Sequence, residues 1–233
     1  MEMIIHKPTT KPVQAFKQIL GLEDEAQLDK SDILSDLKFE KDIEKFKKQD
    51  NVSPPPQNSI VFVGSSSIRR WKTLEYDFPK HSVIRRGFGG SHMCDALYFV
   101  NDLVTPYKPK AVAVYEGDND LNKNKSPDII LAQYKQFCRL VHEQYPLCPI
   151  LFISVKASTK RWGIRDTIVE FNSLVSDWSN ENERLEFVDV FYPMLDGNGE
   201  PDPKLLVEDG LHLTPRGYQI WTEAVSRKLD MLL

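Results

Sequence analysis

From residue 60 onward, five short runs of β-branched and aromatic residues recur, separated by stretches long enough for a helix. The runs fall at 60–63 (Ile-Val-Phe-Val), 82–86, 110–115, 150–155 and 185–190. Short runs of this composition, bounded by polar or glycine-containing segments, are those of buried strands. Helices are expected between and after them, over 92–104, 127–145, 164–179 and 215–232, with Pro127 suited to a first helical position. Strand–helix alternation requires a parallel sheet, because right-handed crossovers lay their helices over its faces. The expected architecture is therefore α/β: a three-layer α/β/α flavodoxin-like sandwich around a central five-stranded parallel sheet.

Upstream, residues 1–10 form a polar lead, and apolar residues at helical spacing predict helices over 13–22 and 33–46. Ser53-Pro-Pro-Pro56 must be extended. It divides an N-terminal helical extension with a Pro-rich linker (1–57) from the main domain (58–233). The extension either covers a face of the sheet or forms a homodimer contact. A chain of 233 residues can bury a sizeable core without disulfides. Cys94, Cys138 and Cys148 are odd in number and lack CxxC spacing, so they read as buried thiols and not as a disulfide framework or zinc site. Charges are mixed and sum to -4, which offers no basic face to nucleic acid or to an anionic membrane. No run approaches the ~18 apolar residues of a membrane span, and the N-terminus lacks the long apolar centre of a signal peptide. A cytoplasmic protein is the default expectation; a periplasmic or secreted mature form would have the same sequence.

Ligands of an open parallel sheet bind at the carboxyl ends of its strands, and the polar clusters of this chain lie there: 65–67, 87–91, 116–120 and 156–161. Phosphate and metal motifs fail on spacing. The segment 87–92 ends in His92 where a dinucleotide fingerprint needs glycine, and 64–68 lacks the second glycine and the lysine of a P-loop. The segment 118–129 begins as a calcium loop but has Lys123 at the turn and Ile129 at the twelfth position. Glu116, Asp118 and Asp120 on one strand end cannot flank a sugar ring without a second carboxylate cluster, and they read as solvated loop acids. A nucleophilic reading needs a serine, a histidine to take its proton and an acid to orient the histidine. Asp209 and His212, three residues apart before the last helix, supply the pair. His92 is the rival base, and the residues alone leave the nucleophile open among Ser65, Ser66 and Ser67.

Four segments in order resemble the four blocks of the SGNH (GDSL-type) ester hydrolases, over about residue 58 to the end. Gly64-Ser-Ser-Ser-Ile68 resembles the Gly-Asp-Ser-Leu block, and Gly87-Phe-Gly-Gly-Ser91 the second block. Gly117-Asp-Asn-Asp120 resembles Gly-x-Asn-Asp, and Asp209-Gly-Leu-His212 resembles Asp-x-x-His. The resemblance implies a Ser66 nucleophile, His212 as base, Asp209 as its partner, and an oxyanion hole from the Ser66 and Gly90 N–H groups and the Asn119 amide. It also implies hydrolysis of carboxylic esters or thioesters through an acyl-enzyme, with no cofactor or metal. The chain departs from the pattern in having Ser65 in place of Asp, and Arg85 and Arg86 where the second block has an upstream asparagine. Those arginines are either salt-bridge partners at the core edge or lining of the site. The expected substrate is a small-molecule ester with a short acyl group, acetyl and carbohydrate-linked esters included. Lys156, Arg161 and Trp162, in the loop after the fourth strand, are the candidate substrate contacts. The alternatives are an acyltransferase with the same triad, or a non-catalytic carbohydrate- or ligand-binding module on the same fold.

Overall fold

The computed structural model describes residues 38–233. The helix expected over 13–22 lies outside the described residues, as does most of the first part of the one expected over 33–46. In chain order the elements are α1 (Glu40–Val52), β1 (Ile60–Gly64), α2 (Ser66–Arg70), α3 (Leu74–Asp77) and β2 (Val83–Gly87). There follow α4 (Met93–Tyr98), α5 (Val100–Leu103), β3 (Ala111–Tyr115), α6 (Asp118–Asn122), α7 (Pro127–Gln144) and β4 (Ile150–Ile153). The chain ends with α8 (Arg165–Asn180), β5 (Leu185–Val188) and α9 (Pro215–Leu232). The helix expected over 92–104 is broken at Phe99, whose φ of -94° and ψ of 13° lie in the bridge region. Its ring turns edge-on to Phe88 and Tyr98.

All five strands are parallel, in the order β2-β1-β3-β4-β5. The order reverses beside β1, so β1 and β3 form the switch point at which an open sheet leaves a crevice. Every residue of β1, β3 and β4 is buried, which requires helices on both faces. The register assigns those faces. Phe62 aligns with Ala113, so Phe62 and Tyr115 share one face; there they meet Trp71, Phe78 and Trp221, packed from α9 and the segment after α2. Phe152 aligns with Val114 and so points the other way, onto Tyr134 of α7 and Phe171 of α8. Two aromatic layers thus sandwich the sheet, and the five-stranded α/β architecture expected from the alternation is the one observed. Cys94, Cys138 and Cys148 are buried and form no disulfide among the described residues; burial pushes Cys148 up to about 12, leaving almost no thiolate at neutral pH.

Helix α1 begins at Glu40 and runs six residues past the expected end at Phe46. Apolar periodicity stops there, but two ion pairs continue to hold the helix. Lys47 reaches Asp102 at 3.0 Å, and Asp50 accepts from the buried Arg86 at 2.6 Å. Arg86 also donates to the Tyr107 hydroxyl at 2.8 Å and lies over the Phe46 and Tyr107 rings. Of the two roles open to it, the core-edge ion pair is the one it fills. Arg85 donates to the Trp71 carbonyl at 2.9 Å. Removing one partner of a buried pair leaves the other uncompensated, at a cost of up to about 3–5 kcal/mol. Asp50 retains some solvent contact, so Arg86→Ala is expected to lower stability by roughly 2–3 kcal/mol, read as a reduced urea midpoint at unchanged m-value.

Candidate active site

Strand β1 ends where Gly64 crosses the end of β3. A Cβ there would lie 2.4 Å from the Tyr115 carbonyl oxygen, so only glycine permits the approach. The turn is pinned on both sides. Ser65 donates its N–H to Tyr115 O at 3.2 Å, and Phe88 donates its own to Gly64 O at 2.9 Å. From below, the Tyr218 hydroxyl of α9 donates to Ser67 O at 2.8 Å, with its ring stacked on Trp71. Ser66 therefore emerges at the first position of α2 on a turn with little freedom, while Ser65 and Ser67 are buried.

His212 meets Ser66 from the opposite end of the chain. Its Nε2 lies 2.9 Å from Ser66 Oγ and its Nδ1 lies 2.6 Å from Asp209 Oδ2. The other Asp209 oxygen accepts the Leu211 and His212 N–H groups, both at 2.9 Å, which closes the Asp-x-x-His turn on its own carboxylate. Burial would raise the Asp209 carboxyl, but these two N–H groups and the His212 ring outweigh it and hold Asp209 well below the usual carboxylate range. A carboxylate can only accept, so the ring proton belongs on Nδ1 and Nε2 is left to accept from the serine hydroxyl. The rival His92 sits elsewhere: it N-caps α4, with Nδ1 3.5 Å from Asp120.

Two further loops follow β2 and β3, the strands that flank β1. Gly90 has φ +87°, a conformation that side chains rarely adopt, while a Cβ there would meet nothing closer than Lys38 Nζ at 3.7 Å. The need for glycine at 90 is therefore conformational and not a matter of crowding. Asn119, in the first turn of α6, donates one amide N–H to Ser91 O at 2.9 Å, which ties the two loops together and leaves its second N–H for another acceptor.

The acids expected to be solvated are buried: Glu116, Asp118 and Asp120 are all under 10% exposed. They form the foundation of these loops. Asp120 accepts the Met93 N–H and faces His92 and Lys125. Asp118 binds Lys156 Nζ at 2.8 Å and Arg161 Nε at 3.2 Å; burial would raise its carboxyl, but the two cations hold it low. This corrects the expectation for Lys156. It is 1% exposed, committed to Asp118 and the Tyr115 hydroxyl, and cannot touch a substrate. The polar composition of the loop hid this, because a lysine among serines and threonines reads as solvated until its carboxylate partner from another strand is in place. Arg161 binds Asp118 and Asn122 of α6, and Trp162 stacks on Phe191 after β5, so both tie the loop to neighbouring segments.

Glu116 differs from its neighbours. Oε1 accepts from the Ser91 hydroxyl at 2.6 Å, and the buried Oε2 has no partner. Burial pushes its carboxyl well above the usual range; the Ser91 hydroxyl opposes this, and Asp120, Asp95 and Asp118 add to it. The sign of the stability effect follows. A carboxyl raised on folding contributes fully below its unfolded pKa near 4.3, and that contribution is lost as pH rises toward the folded value. Glu116→Gln, a neutral isostere, is expected to raise Tm at pH 8 relative to the unsubstituted protein, with the gap closing by about pH 4. Thermal melts at the two pH values measure it.

Among the described residues, no group of three or more His, Cys, Asp and Glu is arranged to hold a metal ion, and no helix is long and apolar enough to cross a membrane. The fold is shared with solved structures of low sequence identity. A protein from Streptococcus pneumonia, provisionally assigned as a platelet activating factor, is 22% identical over 83% of this chain and 94% of its own, with a TM-score of 0.74. A GDSL-like lipase from Bacteroides thetaiotaomicron is 21% identical over 82% and 98%, at 0.71. A family 3 carbohydrate esterase from Clostridium thermocellum is 17% identical over 74% and 96%, at 0.59. No curated protein sequence matches the chain. The sequence profile of the GDSL-like lipase/acylhydrolase family matches residues 58–220, from the start of β1 into α9. That match spans most of the chain, so the chain belongs to this family of hydrolases, as its four strand-end blocks suggested.

Proposed function

We propose that the protein is a serine hydrolase that cleaves carboxylic esters of short acyl groups, acetyl and carbohydrate-linked esters included, through an acyl-enzyme intermediate. The observation that carries this reading is the continuous hydrogen-bonded chain Asp209–His212–Ser66 at the switch point of the sheet. Ser66 Oγ attacks the acyl carbon while His212 Nε2 takes its proton, and the resulting imidazolium is stabilised by ionised Asp209. His212 returns that proton to the leaving alkoxide, then takes a proton from water as its oxygen attacks the acyl carbon, and passes it to Ser66 Oγ as the acyl–Oγ bond breaks, releasing the carboxylic acid and restoring the enzyme. The Ser66 N–H, the Gly90 N–H and the second N–H of Asn119 are the donors for the tetrahedral oxyanion. The strand-end segments 87–91, 116–120 and 156–161 are polar or glycine-containing and offer no long apolar lid, which supports a short acyl group. The shared fold with carbohydrate esterases puts acetylated sugars among the first alcohols to try.

Steady-state hydrolysis of p-nitrophenyl esters of increasing chain length, and of acetylated mono- and oligosaccharides, tests the reading. Turnover is expected to be highest for acetyl and to fall with chain length. Asn119→Ala is expected to lower kcat by about 100- to 1,000-fold with KM little changed, because its amide acts on charge that exists only in the transition state. Absence of turnover across the whole panel would count against an ester hydrolase.

A further inference from the structure

We propose that Glu116 is a positioning residue for the oxyanion hole, a buried neutral carboxylic acid that braces the loop carrying Gly90 against the loop carrying Asn119. The inference rests on the ester-hydrolase reading above. Glu116 stands two residues after Val114 of β3 and three before Asn119. Its Oε1 accepts from the Ser91 hydroxyl at 2.6 Å. Ser91 is fully buried, directly follows Gly90, and offers its carbonyl to Asn119 Nδ2 at 2.9 Å. Glu116, Ser91 and Asn119 thus close a ring of two hydrogen bonds and a short length of chain. Two of the three oxyanion donors hang from that ring.

The surroundings explain why the acid is neutral. Asp118 and Asp120, on the same turn, are each matched by a cation: Lys156 and Arg161 lie on the first and Lys125 on the second, which also faces the His92 ring. Asp95 accepts the His92 N–H at 2.7 Å. Glu116 is 1% exposed, lies among these carboxylates, and has a hydroxyl on one oxygen and no partner on the other. An ionised carboxylate there would be buried without a cation, which is costly enough that the group keeps its proton. A neutral acid still accepts from Ser91, and it does so without repelling the ionised acids on either side.

A brace of this kind acts on geometry at the reacting centre and not on ground-state affinity, so its loss appears in kcat. Displacement of an oxyanion donor by about 1 Å costs on the order of 100-fold in rate. Glu116→Ala is expected to lower kcat for p-nitrophenyl acetate by about 10- to 100-fold with KM within about threefold. Ser91→Ala, which removes the hydroxyl alone, is expected to do the same. The double variant should be no slower than the slower single variant, because the two side chains form one link. Glu116→Gln keeps the acceptor and the neutral charge, and should retain kcat within about threefold of the unsubstituted protein. A Glu116→Gln variant as slow as Glu116→Ala would overturn the neutral-acid assignment. Unchanged kcat in Ser91→Ala, or losses confined to KM, would overturn the brace. Ser66→Ala is the reference throughout: absence of ester turnover in the unsubstituted protein means the ester-hydrolase reading has failed, an active Ser66→Ala means the nucleophile is misassigned, and a dead Ser66→Ala beside an unaffected Ser91→Ala isolates the failure to Glu116.

Discussion

Ser66→Ala is expected to reduce turnover of p-nitrophenyl acetate by about 10⁴- to 10⁶-fold and to abolish labelling by a fluorophosphonate, with the fold intact. Ser66 Oγ lies 2.9 Å from His212 Nε2. Its neighbours cannot substitute: Ser65 and Ser67 are each 2% exposed, and Ser67 has its hydroxyl at Tyr115 and its carbonyl bound to Tyr218. The change removes one oxygen from a side chain whose backbone is held by Tyr115, Phe88 and Tyr218, so the circular dichroism spectrum should not change. Undiminished labelling of the variant, mapped by mass spectrometry to Ser65 or Ser67, would show that the nucleophile has been misassigned.

His212→Ala should be comparably inactive, and the double variant with Ser66→Ala should be no worse than either single one, since the two residues act as a unit. Without the imidazole, the serine keeps its proton at neutral pH and the leaving alkoxide has no acid. Asp209 loses its ring partner in that variant but keeps the Leu211 and His212 N–H groups, so the turn itself should hold. His92→Ala is the informative control. That imidazole faces Asp120 and caps α4, so its removal should leave kcat within about fivefold. If His92→Ala is the dead variant and His212→Ala is active, the base has been misidentified.

Much of this molecule is legible along the chain because the determinants are local. Alternation of short β-branched runs with helix-length segments dictates a parallel sheet, and each strand is found within two residues of its expected bounds. Pro127 and Thr214-Pro215 mark helix starts by capping chemistry alone. The four site blocks could be picked out because each is a short motif at a strand end. The departures from local expectation share a cause. Lys156 was expected at a substrate and Glu116, Asp118 and Asp120 in water, because side chains that are paired across strands look like surface charges when each is viewed within its own segment. Helix α1 extends beyond Phe46 for the same reason: its last two turns are held by Arg86 of β2 and Asp102 of α5, not by their own apolar periodicity.

The amino-acid sequence by itself determined the α/β alternation, through composition and spacing, and the Asp209–His212 pair as a candidate base and partner; the resemblance of four short motifs pointed to the family and, among three adjacent serines, to Ser66. Only the tertiary structure decided that residues 146 positions apart share a hydrogen bond. It also decided that glycine at 90 answers to a positive φ, and that the charges beneath the site are structural. Those outcomes depend on which strand ends become neighbours. That is set by the β2-β1-β3-β4-β5 order, a property of packing across the whole sheet that no single segment encodes.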